Sequence, residues 1–316
     1  MTEPQTKPHL SRRATLLAVA GTLAAPALTG QAAAQTTPEP PLKDVPAIAP
    51  WRRLTLGTFT VTPLLAGTRV MDHPHDTFGT DASADDFEAL STARFLPTDK
   101  SLNFFTPVLV ETGSDVVLFD TGLAPDGIRA ALAAAGKAPE DVTLVVLTHM
   151  HADHIGGLSD GTGLTFPQAK YATGQMEFDY WAKSGNEVFE AKIRPLADQL
   201  RFLTDGETVV SGVTAILAPG HTPGHMAFEI ENGGRKLILT ADTANHYVWS
   251  LERPDWKVRF DIDPAQAAAT RHRLLGRIAA ERLPFIGYHM PFPGVGFLEP
   301  TDQGFRFVPA SYQFDL

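Results

Sequence analysis

Apolar positions along the chain follow two periodicities. From Leu54 to Thr62 they nearly alternate with threonine and glycine, continuing into Leu64 and Leu65, which predicts a half-buried strand. Strands are also expected at 104–111 and 115–119, joined by the turn Thr112-Gly113-Ser114, and at 142–148, an apolar run suited to a buried strand. A second series, 207–210, 213–217, 226–231 and 236–240, is punctuated by glycine-containing turns, of which Asn232-Gly233-Gly234 is the clearest. Helical composition occupies 126–136, 175–183, 187–203 and 264–282. The last of these opens on Asp263-Pro264, an N-cap followed by proline at N1. Residues 283–288 read as a final core strand and 304–312 as a terminal one, whereas 71–100 is polar and irregular and predicts a long loop with one short helix. Each half runs strands first and helix afterwards, so the expected class is α+β, two sheets packed between outer helices.

With 316 residues, 43% of them hydrophobic and 20% charged, the chain suits one large domain with small extensions. Ser11-Arg12-Arg13 precedes an apolar run, 14–28, interrupted by Gly21 and Pro26, and Ala32-Ala33-Ala34 suits cleavage after Ala34. That run is short and alanine-rich beside the roughly 20 residues of a membrane span. Residues 1–34 are therefore expected to be a signal peptide of the twin-arginine or Sec type, Thr15 standing where the former usually has Phe. A proline-rich tether at 35–50 and a catalytic domain at 51–316 follow. The implied location is periplasmic or secreted, with no membrane association after cleavage. The net charge is −10, and residues 1–34 carry +2, which leaves −12 on the remainder. Such an acidic chain lacks the clustered Lys and Arg that nucleic-acid binding needs, so no nucleic-acid partner is expected.

Cysteine is absent, which removes disulfides, thiolate nucleophiles and Cys-ligated metals together. The chemistry then centres on Thr148-His149-Met150-His151-Ala152-Asp153-His154, directly after the apolar run 142–147. Imidazole and carboxylate are the ligands expected for zinc and similar divalent ions. An extended segment aims alternate residues in opposite directions, so one loop can feed two metal positions. Three more candidates sit at strand ends or tight turns: His221 in Ala218-Pro219-Gly220-His221-Thr222-Pro223-Gly224-His225, Asp242 after 237–240, and His289 after Phe285-Ile286. Taken singly, Asp242 reads rather as a helix cap and His289 as a core histidine. Taken with the first cluster, they complete a set.

That set, in that order, resembles the metallo-β-lactamase fold superfamily, αββα four-layer sandwiches with hydrolase activity. The resemblance implies that His149, His151 and His221 hold one metal and Asp153, His154 and His289 a second, with Asp242 bridging. It further implies that Asp120 and His225 support the ligands from behind, and that Asp153 and Asp242 serve catalysis. Two divalent ions, expected to be Zn²⁺ and about 3.5–4 Å apart, share a hydroxide that attacks a phosphorus or carbonyl carbon. The stretches 148–158, 220–225, 292–296 and 305–309 are similar to exported, methyl parathion hydrolase-like enzymes, which implies a homodimer and places Trp181 at a leaving-group pocket. One departure is Leu123-Ala124-Pro125-Asp126-Gly127, a shorter loop than in those enzymes and without their aromatic residue. The expected activity is hydrolysis of a small-molecule phosphotriester, carboxylic ester or lactone. An acyl-homoserine lactone lactonase or aryl esterase is the alternative. An iron-dependent, persulfide dioxygenase-like oxidoreductase on the same fold is a third reading.

Overall fold

The computed structural model describes residues 49–311, so the signal segment and nearly all of the tether lie outside the described residues. β1 (Leu54–Leu56) and β2 (Phe59–Pro63) form a hairpin, and the chain then leaves that sheet. β3 (Gly67–Asp72) and β4 (Lys100–Phe105) pair with each other as a separate ribbon, with helix α1 (Ala84–Ala93) between them in sequence. β5 (Val108–Glu111), β6 (Val116–Phe119), helix α2 (Pro125–Ala134), β7 (Leu144–Leu147) and the short α3 (Ala152–Ile155) follow. After the small hairpin β8 (Ser159–Asp160) and β9 (Gly163–Leu164) come β10 (Lys170–Gly174), α4 (Gln175–Trp181), α5 (Glu187–Lys192) and β11 (Leu200–Leu203). The first sheet has the order β1-β2-β5-β6-β7-β10-β11, and β6, β7, β10 and β11 are parallel.

The second sheet runs in chain order: β12 (Thr208–Val210), β13 (Val213–Leu217), β14 (Met226–Asn232), β15 (Arg235–Ala241), β16 (Phe285–Gly287), β17 (Val295–Pro300) and β18 (Phe305–Pro309). Helix α6 (Pro264–Ala280) crosses between β15 and β16, with the Asp263 side chain accepting from Gln266 N as the sequence predicts. Strand alternation divides the side chains between cores. In β7, Leu144 and Val146 enter the layer between the sheets, where Phe119 meets Phe228, while Val145 and Leu147 face the helices. Leu274, Leu275 and Ile278 of α6 close the far side over Ile238 and Phe285. The result is the expected αββα sandwich.

Four local expectations change. The helix predicted over 187–203 ends at Lys192; Pro195 opens a 3₁₀ turn, Arg194–Gln199, and β11 takes the rest as an edge strand. The strand expected over 104–111 is interrupted at Thr106-Pro107, where the chain passes from the ribbon back into the sheet. β10, parallel to β7, had no clear sequence signal because Lys170-Tyr-Ala-Thr-Gly174 is short and mixed. The 71–100 stretch is better ordered than a loop: α1 packs Phe87 and Leu90 onto Val248, Trp249 and Val258, and Arg94 forks onto Glu252 at 2.6 and 2.7 Å.

Within that small core His246 stacks on Trp249 at 3.9 Å, and its Nδ1 accepts from the backbone N–H of Val248 and Trp249. Burial, reinforced by nearby His289, pushes its pKa down to about 3. The unfolded chain takes up this proton below the ordinary value of about 6.5, and the folded protein does not. Stability should therefore fall as pH drops from about 6.5 towards 3, by about 1.4 kcal/mol per pH unit for this group. His246→Gln should flatten that part of a urea-unfolding series followed by tryptophan fluorescence, and an unchanged slope would refute a neutral, buried His246.

Candidate metal centre

All seven predicted ligands converge at one end of the sandwich, at or just beyond the ends of β7, β15 and β16 and in the 218–225 loop. Asp120, just after β6, fixes the first loop. Its Oδ1 accepts from Thr148 N at 2.8 Å, and its Oδ2 from Thr148 Oγ1 at 2.9 Å and His154 Nδ1 at 2.8 Å. The loop can lie this close because residue 157 is glycine; a Cβ there would stand 2.0 Å from Thr121 O. Met226 N donates to Thr148 O at 3.0 Å, binding this loop to the second sheet. Asp120 and Ala241, the residue before Asp242, both have positive φ, 61° and 43°. Left-handed backbone at non-glycine residues is held only where the surroundings over-determine it.

Most of the imidazoles have one nitrogen committed to the protein, which fixes the tautomer and leaves the other nitrogen facing the cluster. His149 Nδ1 donates to Thr148 Oγ1 at 3.0 Å, His221 Nδ1 to Asp261 Oδ1 at 2.9 Å, and His289 Nδ1 to Phe104 O at 2.8 Å. The facing atoms form two groups. His151 Nδ1 lies 3.1 Å from His149 Nε2 and 3.0 Å from His221 Nε2. Asp153 Oδ2 lies 3.7 Å from His154 Nε2 and 3.4 Å from His289 Nε2. Asp242 reaches both: its Oδ2 is 3.4 Å from His221 Nε2 and 3.1 Å from His289 Nε2, and its Oδ1 is 3.3 Å from His154 Nε2.

The residues fit two cations. Among the described residues His154 Nε2 and Asp242 Oδ1 are buried without hydrogen-bond partners, an expensive arrangement for polar atoms that a shared cation would relieve. Burial lowers the pKa of His149, and takes His151 to about 3, so both imidazoles are neutral, the form that binds metal. Burial acts against charge on His154 and His289 as well, but the carboxylates of Asp242 and its neighbours outweigh it and raise both. Burial likewise opposes the charge on Asp242, and His289 and His154 overcome it, so the group stays an anion.

His225, predicted as a support, accepts from Asp242 N at 3.0 Å and gives its Nδ1 proton to Ala218 O. Several supports escaped the sequence reading. Asp261 joins His221 to Arg271, whose Nη1 lies 2.9 Å from Asp261 Oδ2 and whose other nitrogens donate to Pro254 O and Trp256 O. Asn245 donates to Asp242 Oδ2 at 2.9 Å, and Tyr288 donates to Asp153 O while stacking on His154 at 3.9 Å. Burial raises the Tyr288 pKa well above its ordinary value and keeps it a phenol. Only the position of Tyr288 beside His289 was a usable signal; the partners of Asp261 are 40 and 10 residues away.

A cavity of about 340 Å³ opens over the cluster. His151, Asp153, His221, Asp242 and His289 line it together with Met71, Phe78, Phe105, Leu123 and Phe260, and with Arg69, Asn103, Asn186 and Asn245 at its polar points. Trp181 departs from its predicted place. It is buried behind the cluster, edge-on to His151 at 5.6 Å, rather than in the cavity wall. The short 123–127 stretch contributes Leu123, and helix α2 already begins within it, at Pro125.

Asp261→Asn, which keeps the shape and removes the charge behind His221, should weaken zinc binding at the His149, His151 and His221 group by about 10- to 100-fold. Titration against a chromophoric chelator measures this, and an unchanged affinity would reduce the Arg271–Asp261–His221 chain to a fold contact.

Known proteins give the same picture. Among curated relatives, YobT of Bacillus subtilis is 33% identical over 137 residues, 40% of this chain and 57% of its own length. An N-acyl homoserine lactonase of Bacillus cereus is 30% identical over 148 residues, 46% of this chain and 56% of its own. The chain thus spans just over half the length of these curated relatives. Among solved structures, the dizinc quorum-quenching lactonase AidC superposes with a TM-score of 0.76 at 26% identity, covering 84% of this chain and 98% of that one. The hydrolase AbOPH shares the fold, with a TM-score of 0.78 at 23% identity over 85% of this chain and 100% of its own. The Metallo-beta-lactamase superfamily model matches residues 106–283, which include six of the seven clustered residues, and the chain belongs to that family.

Proposed function

We propose that this protein is a metal-dependent hydrolase of small lactones or carboxylic esters, with N-acyl homoserine lactones as the leading substrate class. The observation that carries this reading is the pair of ligand groups sharing Asp242 at the floor of a largely apolar cavity. The lactone preference is supported by the relatives, among which N-acyl homoserine lactonases recur. Phosphotriester hydrolysis, the first expectation from the sequence, has less support.

Two divalent cations held by the His149, His151, His221 and Asp153, His154, His289 groups, with Asp242 between, would polarise an ester carbonyl and bring the pKa of a shared water to about 7. The remaining work belongs to the chain. The Asp153 side chain, 22% exposed, borders the cavity and is placed to take the proton of the attacking water. Tyr288 spends its hydroxyl on Asp153 O and so steadies that carboxylate's backbone. Met71, Phe78, Phe105, Leu123 and Phe260 offer an apolar wall to an acyl chain, worth about 0.8 kcal/mol per buried methylene. The same reading takes both ions to be zinc, the chain to be exported through 1–34 on the strength of Arg12-Arg13 and the apolar run after them, and the enzyme to be a homodimer, as the sequence resemblance implies.

A hydrolysis panel on the zinc-loaded protein tests this: homoserine lactones of graded acyl length, p-nitrophenyl esters and paraoxon-type triesters. Lactones should lead, with kcat/KM rising with chain length until the cavity is filled. Asp242→Ala should lower kcat/KM by more than about 100-fold. Full activity in that variant with two ions bound would refute the shared-ligand assignment. Iron-dependent oxygen consumption without hydrolysis would replace the reading with an oxidoreductase.

A further inference from the structure

Behind the cluster lies a carboxylate that the hydrolytic chemistry does not touch. Glu177, in the first turn of α4, is fully buried and makes no ion pair among the described residues. Its Oε1 accepts from Met150 N at 3.0 Å and Trp181 Nε1 at 2.6 Å. Its Oε2 accepts from Thr222 Oγ1 at 2.7 Å and Gly224 N at 3.0 Å. One oxygen therefore holds the loop of His149 and His151, and the other holds the loop of His221. Residue 224 can approach only as glycine, since a Cβ there would stand 2.0 Å from Glu177 N.

Two further observations single out the three-histidine group. Among the described residues His151 makes no ring hydrogen bond to a supporting group, unlike His149 and His221; its ring rests edge-on against Trp181. Trp181 is in turn held by Glu177 Oε1. The second group hangs instead from Asp120, Phe104 O and Tyr288, none of which touches Glu177.

Resting on the metal-site reading above, we propose that Glu177 is a positioning residue that serves the three-histidine position and not the other. It spaces the 149–151 turn from the 221–225 loop and, through Trp181, orients His151. Burial raises the pKa of Glu177, while its four donors hold both oxygens as acceptors, and the carboxyl group stands behind the ion that His149, His151 and His221 would hold.

Glu177→Gln is the informative change. An amide can serve one pair of donors but turns its own N–H₂ towards the other. Trp181→Phe is the milder companion, keeping an aromatic ring beside His151 but losing the five-membered ring with its N–H. Zinc binding to the full chain is titrated against a competing chelator, with ¹⁵N imidazole spectra to report which histidines are engaged and thermal melting of the metal-free protein to report the fold. Glu177→Gln should bind one ion as the unaltered protein does and the other about 10- to 100-fold more weakly. The signals of His149, His151 and His221 should be the ones released, the metal-free melting temperature should change little, and Trp181→Phe should show a smaller loss of the same kind. Equal weakening of both ions, a melting temperature that falls in step with affinity, or no change at all would each overturn the assignment. An unaltered protein that binds no second ion would instead sink the metal-site reading on which it rests.

Discussion

A buried carboxylate among imidazoles is the constraint on which this structure turns. Asp242 is 3% exposed and lies within 4 Å of ring nitrogens from His149, His154, His221 and His289. Such a charge is tolerated in a protein interior only when positive charge is held close to it. The sandwich supplies this by bringing the end of β7 in one sheet, and the ends of β15 and β16 in the other, to the same edge. The bond from Met226 N to Thr148 O fastens that meeting.

Around the ligands, rigidity comes from polar groups used once and in one direction. Thr148 Oγ1 donates to Asp120 and accepts from His149; His225 accepts from Asp242 N and donates to Ala218 O; Asp261 stands between His221 and the buried Arg271. Each arrangement leaves little choice of tautomer or rotamer, so the facing nitrogens are aimed before any ion arrives. The positive φ of Asp120 and Ala241 at the same place shows the backbone held in conformations that the surrounding bonds enforce.

The cavity is built from a different part of the chain. The β3–β4 ribbon and α1 form a flap-like layer that packs its own small aromatic core onto residues 248–258, with Arg94 and Glu252 as its polar clasp. Met71, Phe78 and Phe105 reach the cavity from this layer, and Phe260 from the segment beneath it. Reactive centre and substrate wall can thus vary separately, as a family of one fold and several chemistries requires.

The sequence by itself determined the candidate ligands and the layers. Histidine and aspartate carry metal-binding atoms wherever they stand in the chain, and both periodicities of buried strands and helices are local. The family resemblance carried by those residues also implied Asp120 and His225 as supports. The order of the 71–100 stretch, the shortened helix after Lys192, the retreat of Trp181 behind His151, and the roles of Glu177 and Asp261 were decided only by tertiary structure. Glu177 shows the reason. Its partners are Met150, Trp181, Thr222 and Gly224, two of them backbone N–H groups that every non-proline residue carries. A donor common to the whole chain leaves no mark in the sequence, so the carboxylate that meets it is recognised only once the fold has brought them together. The first loop, 149–154, was legible as a metal loop from its residues alone; that Glu177 holds it at Met150, beside the hold of Asp120, is a fact of packing.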